Sequence, residues 1–166
     1  TTIAGLAAAG CDNVWMGAES VSQKILDAMD KGITVEQIRK ATALLKAAGI
    51  KPSFFLQFGY PGESKEDIRA TINMVNTLLP LSIGISVSYP LPGTVFYEKV
   101  KSDLKEKTNW TDSDEMQLMF SNTYQPAFYK QLHDYTHKTF RKQVAYESLK
   151  CCIRRPATVN MQSLKK

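Results

Sequence analysis

Cysteine is scarce and poorly placed for its structural uses. Cys11 stands alone and Cys151 and Cys152 are adjacent. No C-x2-C or C-x3-C spacing occurs, so neither a disulfide framework nor a self-contained metal knuckle is encoded, and the cytoplasm, a reducing compartment, is the expected location. Long apolar runs are also missing. The Ile3 to Ala9 stretch has no basic residues before it, and nothing approaches the roughly 20 apolar residues of a membrane span. No Ser-His-Asp order, Walker loop or paired catalytic carboxylates stand out, which leaves acyl and phosphoryl transfer unsupported. Hydrophobic residues make up 43% of the chain and charged residues 22%, which excludes disorder and collagen-like repeats. The 166 residues suffice for one core that buries about two thirds of the unfolded surface. The net charge of +5 is weighted towards the C-terminus. Arg154-Arg155 and Lys165-Lys166 read as a solvated tail, and nucleic acid binding would rest on the basic balance alone. The chain starts at Thr1 inside what reads as a helix, so it is expected to be a piece of something longer.

What is present is an alternation of strand and helix. Val14-Trp-Met16 reads as a short buried strand, followed by a turn and a helix capped by Ser20 with Gln23. Thr34 and Gln37 form a second capping box. They open a helix with Ile38, Ala41, Leu44, Leu45 and Ala48 at helical spacing, closed by Gly49. Ser53 to Phe58 is nearly continuous in apolar residues, as a strand covered on both faces would be. Ser64 and Asp67 cap the next helix, which carries Ile68, Ile72, Val75 and Leu79 before Pro80 stops it. Ile83 to Ser88 is a third strand, and a helix of mixed polarity follows to Lys107. Asp112 with Glu115 caps a short helix, and Pro126 opens a long one to about Leu149. Three such βα units in series imply a parallel sheet of an α/β protein. Three strands cannot close a barrel, so the sheet should continue in residues outside this chain.

Parallel α/β folds bind ligands at the carboxyl ends of their strands. That edge collects Glu19 and Ser20, then Gly59 to Glu63, then Tyr89 to Thr94. Gly59 and Gly62 let backbone amides approach a ligand, and Glu19 or Glu63 is suited to accept hydrogen bonds from a ribose or an ammonium group. The competing reading is that these are ordinary turns and caps.

The ordered set Gly10-Cys-Asp-Asn-Val-Trp-Met-Gly-Ala-Glu-Ser20, Leu26-Asp-Ala-Met-Asp-Lys-Gly-Ile-Thr34, Ala48-Gly-Ile50, Phe58-Gly-Tyr-Pro-Gly-Glu-Ser64 and Tyr89-Pro-Leu-Pro-Gly-Thr-Val-Phe-Tyr97 resembles the second half of a radical S-adenosylmethionine (radical SAM) enzyme. Within that superfamily it most resembles the cobalamin-binding-domain class typified by anaerobic magnesium-protoporphyrin IX monomethyl ester cyclase, over about residues 1–140. The resemblance implies part of a (β/α)6 partial TIM barrel, about three βα units followed by C-terminal helices. The implied division is a barrel half at 1–108, a helical extension at 109–150 and a flexible basic tail at 151–166. By resemblance, Glu19 and Ser20 contact the ribose of S-adenosylmethionine, Phe58, Gly59 and Tyr60 its adenosyl part, and Tyr89, Pro90 and Leu91 the adenine edge. Glu63 is expected to be structural.

The implied cofactors are S-adenosylmethionine and a 4Fe-4S cluster. Cobalamin, and a domain to bind it, stay open. The implied chemistry is reductive cleavage to a 5′-deoxyadenosyl radical, which takes hydrogen from a small organic substrate in a cyclase or methyltransferase reaction. The implied partners are the missing N-terminal barrel half and a reductant such as flavodoxin or ferredoxin, without nucleic acid or a membrane span.

One departure outweighs the matches. The family's C-x3-C-x2-C cluster motif is absent, and Cys11, Cys151 and Cys152 cannot replace it. The chain by itself is therefore expected to contain no catalytic residue and to be inactive, its function belonging to a longer parent. The alternative is a non-catalytic interaction module derived from a barrel. His133 and His137 sit four apart beside Asp134 and read as helix-surface histidines rather than metal ligands. Tyr124, Phe128, Tyr129, Tyr135 and Phe140 read as packing residues at helical spacing. Trp110, Met116, Met119 and Phe120 either fill core gaps or line a substrate channel.

Overall fold

The computed structural model describes residues 2–104 and 119–154. In order these form α1 (Thr2–Ala8), β1 (Asn13–Glu19), α2 (Gln23–Ala28), α3 (Val35–Ala47), β2 (Lys51–Phe58), α4 (Lys65–Leu78), β3 (Ile83–Val87), α5 (Val95–Val100), a 3-10 turn (Lys101–Asp103) and α6 (Pro126–Arg154). The strands form one parallel sheet in the order β1-β2-β3, an α/β architecture equivalent to part of a barrel with a helix after it. No further strand pairs with the outer edges of β1 and β3 among the described residues. The expected end of a helix at Lys107, the Asp112/Glu115 cap, Trp110, Met116 and the segment beyond residue 154 lie outside the described residues. The helix after β3 ends at Val100, shorter than the sequence pattern suggests, while α6 runs past Leu149.

Side-chain alternation divides the sheet into two unlike faces. Phe54, Leu56 and Phe58 of β2 join Ile38 of α3 and Ile68, Ile72 and Val75 of α4 in the core. On the other face Trp15 and Phe55 stack at 4.5 Å and 27°, and they remain 44% and 50% exposed. Gly84 makes this possible, because a Cβ there would lie 3.1 Å from Phe55 Cδ1. Two expectations are thus corrected. β2 leaves Phe55 of its second face exposed although Ser53 on that face is buried, and in β1 only Ala18 and Glu19 are buried. Apolar residues on both faces signal a sheet covered twice, but the described helices cover only one side.

Helix starts follow the capping logic with one exception. Thr34 with Gln37 and Ser64 with Asp67 both form complete capping boxes. Ser64→Ala should therefore destabilise the protein by about 1 kcal/mol, checked by chemical denaturation, and an unchanged midpoint would contradict the cap's role. The expected Ser20/Gln23 box does not form. Ser22 is the N-cap of α2, and Gln23 is engaged elsewhere, donating to Asp27 and to the Ile33 carbonyl and accepting from the Val35 amide. That glutamine ties α2 to the start of α3.

Helix α6 packs on α4 and β3, burying Tyr129, Leu132, Thr136 and Phe140. These positions, spaced by three and four residues, form one stripe. Tyr124 and Phe128 pack against the same core, so four of the five aromatics expected to pack do so. Tyr135 instead faces solvent, 58% exposed. Met119 and Phe120 are buried, the latter edge-on to Phe96 at 5.6 Å.

Candidate functional site at the strand ends

Each strand ends in a distorted turn that turns polar groups towards the same edge. At the end of β1 the pairing register slips between Gly17 and Glu19, and Glu19 takes a left-handed φ of 47°. A glutamate in that region is uncommon and strained. Its carboxylate lies back over Gly17, where a Cβ would come within 2.9 Å of Glu19 Oε1. Lys31 Nζ, beyond the end of α2, donates to that oxygen at 2.8 Å.

The ends of β2 and β3 use one device twice. Tyr60-Pro-Gly-Glu63 closes with the Glu63 amide donating to the Tyr60 carbonyl at 3.0 Å, and Leu91-Pro-Gly-Thr94 with the Thr94 amide donating to the Leu91 carbonyl at 3.1 Å. The third residues, Gly62 and Gly93, have φ of 87° and 85°. Proline then glycine at the centre is the type II turn pattern, in which only the third residue needs positive φ. Each turn delivers a cap, Ser64 for α4 and Thr94 for α5.

Between α2, the end of β2 and α5 lies a cavity of about 300 Å³, walled in part by Lys31, Gln57, Tyr60, Phe96 and Lys99. Tyr60 is fixed there by its hydroxyl, which donates to the Ala28 carbonyl, and by stacking on Phe96 at 4.9 Å. Lys99 Nζ sits 5.3 Å from the Tyr60 ring centroid. Gln57 Nε2 donates to Ser88 Oγ at 3.0 Å, linking the ends of β2 and β3. Lys31 joins the cavity wall to Glu19.

Behind the cavity, Glu63 is 4% exposed. Its Oε2 accepts from the Gly59 amide at 2.7 Å, while Oε1 has no hydrogen-bond partner. Burial pushes its carboxyl up to about 7, against the lowering effect of the Gly59 bond, with Asp67 adding to the rise and Lys24 opposing it. Asp67 behaves oppositely. Partial burial works to raise it, but hydrogen bonds from Ser22, from the Ser64 amide and hydroxyl and from Lys24 together hold it well below the usual carboxylate range.

The sequence-derived candidates divide into three groups. Tyr60 lines the cavity, Gly59 precedes it in the same turn, and Glu19 is joined to the cavity wall through Lys31. Phe58 and Ser20 do not line it. Phe58 faces the helices in the core, and the fully buried Ser20 hydroxyl accepts from the Ser22 amide and shares a 3.3 Å hydrogen bond with Thr71 Oγ1. On the β3 turn Tyr89 packs against the core, Pro90 is buried and Leu91 is 49% exposed. Sequence reasoning did not find Lys31, Gln57, Phe96, Lys99 or Asn122. His133 and His137 stack at 4.5 Å, and burial and the neighbouring His133 hold the His137 imidazole below its usual range. No group of three metal-binding side chains occurs among the described residues.

A parallel βα sheet with its polar groups gathered at the strand ends defines a segment of a βα-barrel protein. Residues 1–75 match the family model described as the radical SAM superfamily. The chain is 32% identical over 102 residues to an uncharacterized methyltransferase of Pyrococcus horikoshii, covering 61% of this chain and 22% of that protein. It is 27% identical over 158 residues to a bacteriochlorophyllide d C-8(2)-methyltransferase of Chlorobaculum tepidum, covering 90% and 34%. The structure of Elp3 from Methanocaldococcus infernus, lacking its N-terminus, superposes with a TM-score of 0.52 at 31% identity, over 56% of this chain and 22% of that one. The chain thus spans about a fifth to a third of the length of these curated relatives.

The superfamily implies two groups, and the residues fit them unequally. A buried carboxylate paired with Lys31 of the cavity wall, and a fixed aromatic ring, Tyr60, carried into that wall by a glycine-bearing turn, suit a nucleoside-containing ligand such as S-adenosylmethionine. An iron-sulfur cluster does not fit these residues. Cys11 lies before β1, on the opposite edge of the sheet from Glu19, donating to the Asn13 carbonyl, and Cys151 and Cys152 are exposed near the far end of α6. None of the three approaches the strand-end cavity. No described helix is long and apolar enough to cross a membrane.

Proposed function

We propose that this chain supplies the S-adenosylmethionine-binding strand ends of a radical SAM enzyme whose cluster cysteines lie in another part of a longer protein. The observation that carries this reading is the Glu19 carboxylate, held in a strained backbone conformation at the end of a parallel strand and aimed by Lys31. A carboxylate there accepts both hydroxyls of a ribose, a charge-assisted contact suited to fixing a nucleoside. Gly59 and Tyr60 then contact the adenosyl group, and Tyr89, Pro90 and Leu91 complete the adenine edge. The packing of Phe58 and Ser20 gives them a supporting part, beneath the site rather than in it. Bound in this way, and given one electron from the reduced cluster, S-adenosylmethionine would break its sulfonium C–S bond to release methionine and supply the 5′-deoxyadenosyl radical that abstracts hydrogen from an organic substrate.

In this proposal residues 1–108 are the barrel half and 109–150 the helical extension. An N-terminal half carries the cluster, a flavodoxin- or ferredoxin-type donor reduces it, and the site of action is the cytoplasm. The names of two curated relatives favour methyl transfer over cyclisation. The chain by itself is inactive.

The test is to reconstitute the complete gene product anaerobically with iron and sulfide and to assay 5′-deoxyadenosine under dithionite. The expected result is a 4Fe-4S absorption band and release of 5′-deoxyadenosine, or of S-adenosylhomocysteine in a methyl transfer. A product that binds neither cluster nor S-adenosylmethionine would instead indicate a barrel-derived interaction module.

A further inference from the structure

The Gly59 peptide is gripped from both sides. Its amide donates to Glu63 Oε2 at 2.7 Å, and its carbonyl accepts from Asn122 Nδ2 at 2.6 Å. Glu63 belongs to the same turn, four residues on, whereas Asn122 comes from the segment leading into α6, 63 residues away. Asn122 is itself oriented, since its Oδ1 accepts from the Thr123 amide at 2.7 Å. Phe58, immediately before, is pinned through its carbonyl by the Ser88 amide at 2.9 Å. With φ of 79° at Gly59, the chain here has left the strand and no ladder hydrogen bond holds it. Removing a donor from a partly buried carbonyl leaves that carbonyl without its partner and the turn free to rotate.

We propose that Asn122 is a positioning residue for the nucleoside site, holding the Gly59-Tyr60 peptide from the helical extension so that the extension completes the site rather than merely packing behind it. This rests on the assignment of the strand ends to S-adenosylmethionine. A segment that joins α6 to the turn makes binding sensitive to the packing of α6, and a ligand seated on the turn would in return strengthen the hold of Asn122 on it.

Asn122→Asp isolates the contact. The aspartate keeps an oxygen to accept from Thr123 but cannot donate to Gly59. In the complete protein, the Kd for S-adenosylmethionine from equilibrium dialysis should rise about five- to tenfold, in line with loss of one hydrogen bond. Amide exchange at Gly59 and Tyr60 in the ligand-free protein should speed up by a similar factor, while exchange in β2 stays unchanged. Asn122→Ala, which loses both contacts, is the second variant and should show at least the same rise. Measurements below the melting temperature of every variant separate affinity from folding. Folded variants with unchanged affinity and unchanged turn exchange would overturn the proposal. Faster exchange at the turn in the variants, together with a wild-type protein that binds no S-adenosylmethionine, would instead overturn the assignment of the site, leaving the clamp as a purely mechanical contact.

Discussion

Glu63→Gln is expected to flatten the pH dependence of stability between pH 4.5 and 7 and to make the variant at least as stable as the wild type at pH 8. The Glu63 carboxyl is raised to about 7 in the folded protein, from 4.5 for an unperturbed group. Below pH 4.5 both the folded and unfolded states carry the proton. Between 4.5 and about 7 the unfolded chain releases it and the folded chain keeps it, so the unfolded state binds fewer protons and stability falls as pH rises. Above about 7 the folded state must hold a buried carboxylate with one oxygen unpartnered. At about 1.4 kcal/mol per pH unit, the loss across the window reaches about 3 kcal/mol. Glutamine keeps an oxygen for the Gly59 amide and never ionises, but it adds an amide group without a partner, at about 1 kcal/mol. The two melting curves should therefore cross. The wild type is the more stable at pH 5, and the variant equals or exceeds it at pH 8. Asp67 affects both proteins alike, because its depressed carboxyl gives up stability only as pH falls below the ordinary aspartate range, so the difference between the curves reports Glu63. Parallel curves across pH 5 to 8 would show that Glu63 remains ionised in the fold. Glu63→Leu, which cannot accept from Gly59, should be destabilised throughout.

What could be read from sequence was what depends on near neighbours. Thr34 with Gln37 and Ser64 with Asp67 announce their helices because cap and partner lie three residues apart, and the two Pro-Gly turns announce themselves by the φ values those residues take. Short apolar runs bounded by turn residues announced the three strands, and the period of the apolar residues the core stripe of α4. Reading failed where a residue serves a distant partner. Gln23 reads as half of a capping box but is committed to Ile33 and Val35, and Ser20 reads as its other half but is committed to Thr71. Lys31 and Asn122 give no local signal, since their partners stand 12 and 63 residues away. Phe58 illustrates a third limit. The motif places it at the site, but strand alternation points its side chain to the helices while Tyr60, two residues on, lines the cavity. The exposed faces of Trp15 and Phe55 have the same origin, because apolar character predicts burial without saying which element provides it.

Glu19→Ala in the complete protein should weaken S-adenosylmethionine binding about ten- to a hundredfold with little loss of stability. A hydrogen bond to a charged group contributes about 1.5–3 kcal/mol, the range that corresponds to such factors. The structural cost is small for two reasons. The Lys31 side chain is 37% exposed, so it returns to water once its partner is removed, and a partly exposed ion pair contributes on the order of 1 kcal/mol or less. Alanine at φ 47° keeps the strain that glutamate already bears. Gly17→Val provides the complementary test, leaving the carboxylate in the chain but denying it its place. Even a single Cβ at Gly17 would stand 2.9 Å from Glu19 Oε1, and the branched side chain forces the carboxylate off the strand end. Glu19→Ala and Gly17→Val should therefore lower affinity to a similar extent. Their combination should be no worse than either alone, because both remove the same contact. Isothermal titration of the four proteins closes this cycle. Additive losses would show that Gly17 acts apart from Glu19, and a fall in melting temperature matching the fall in affinity would make Glu19 a structural residue of the bulge rather than the ribose acceptor.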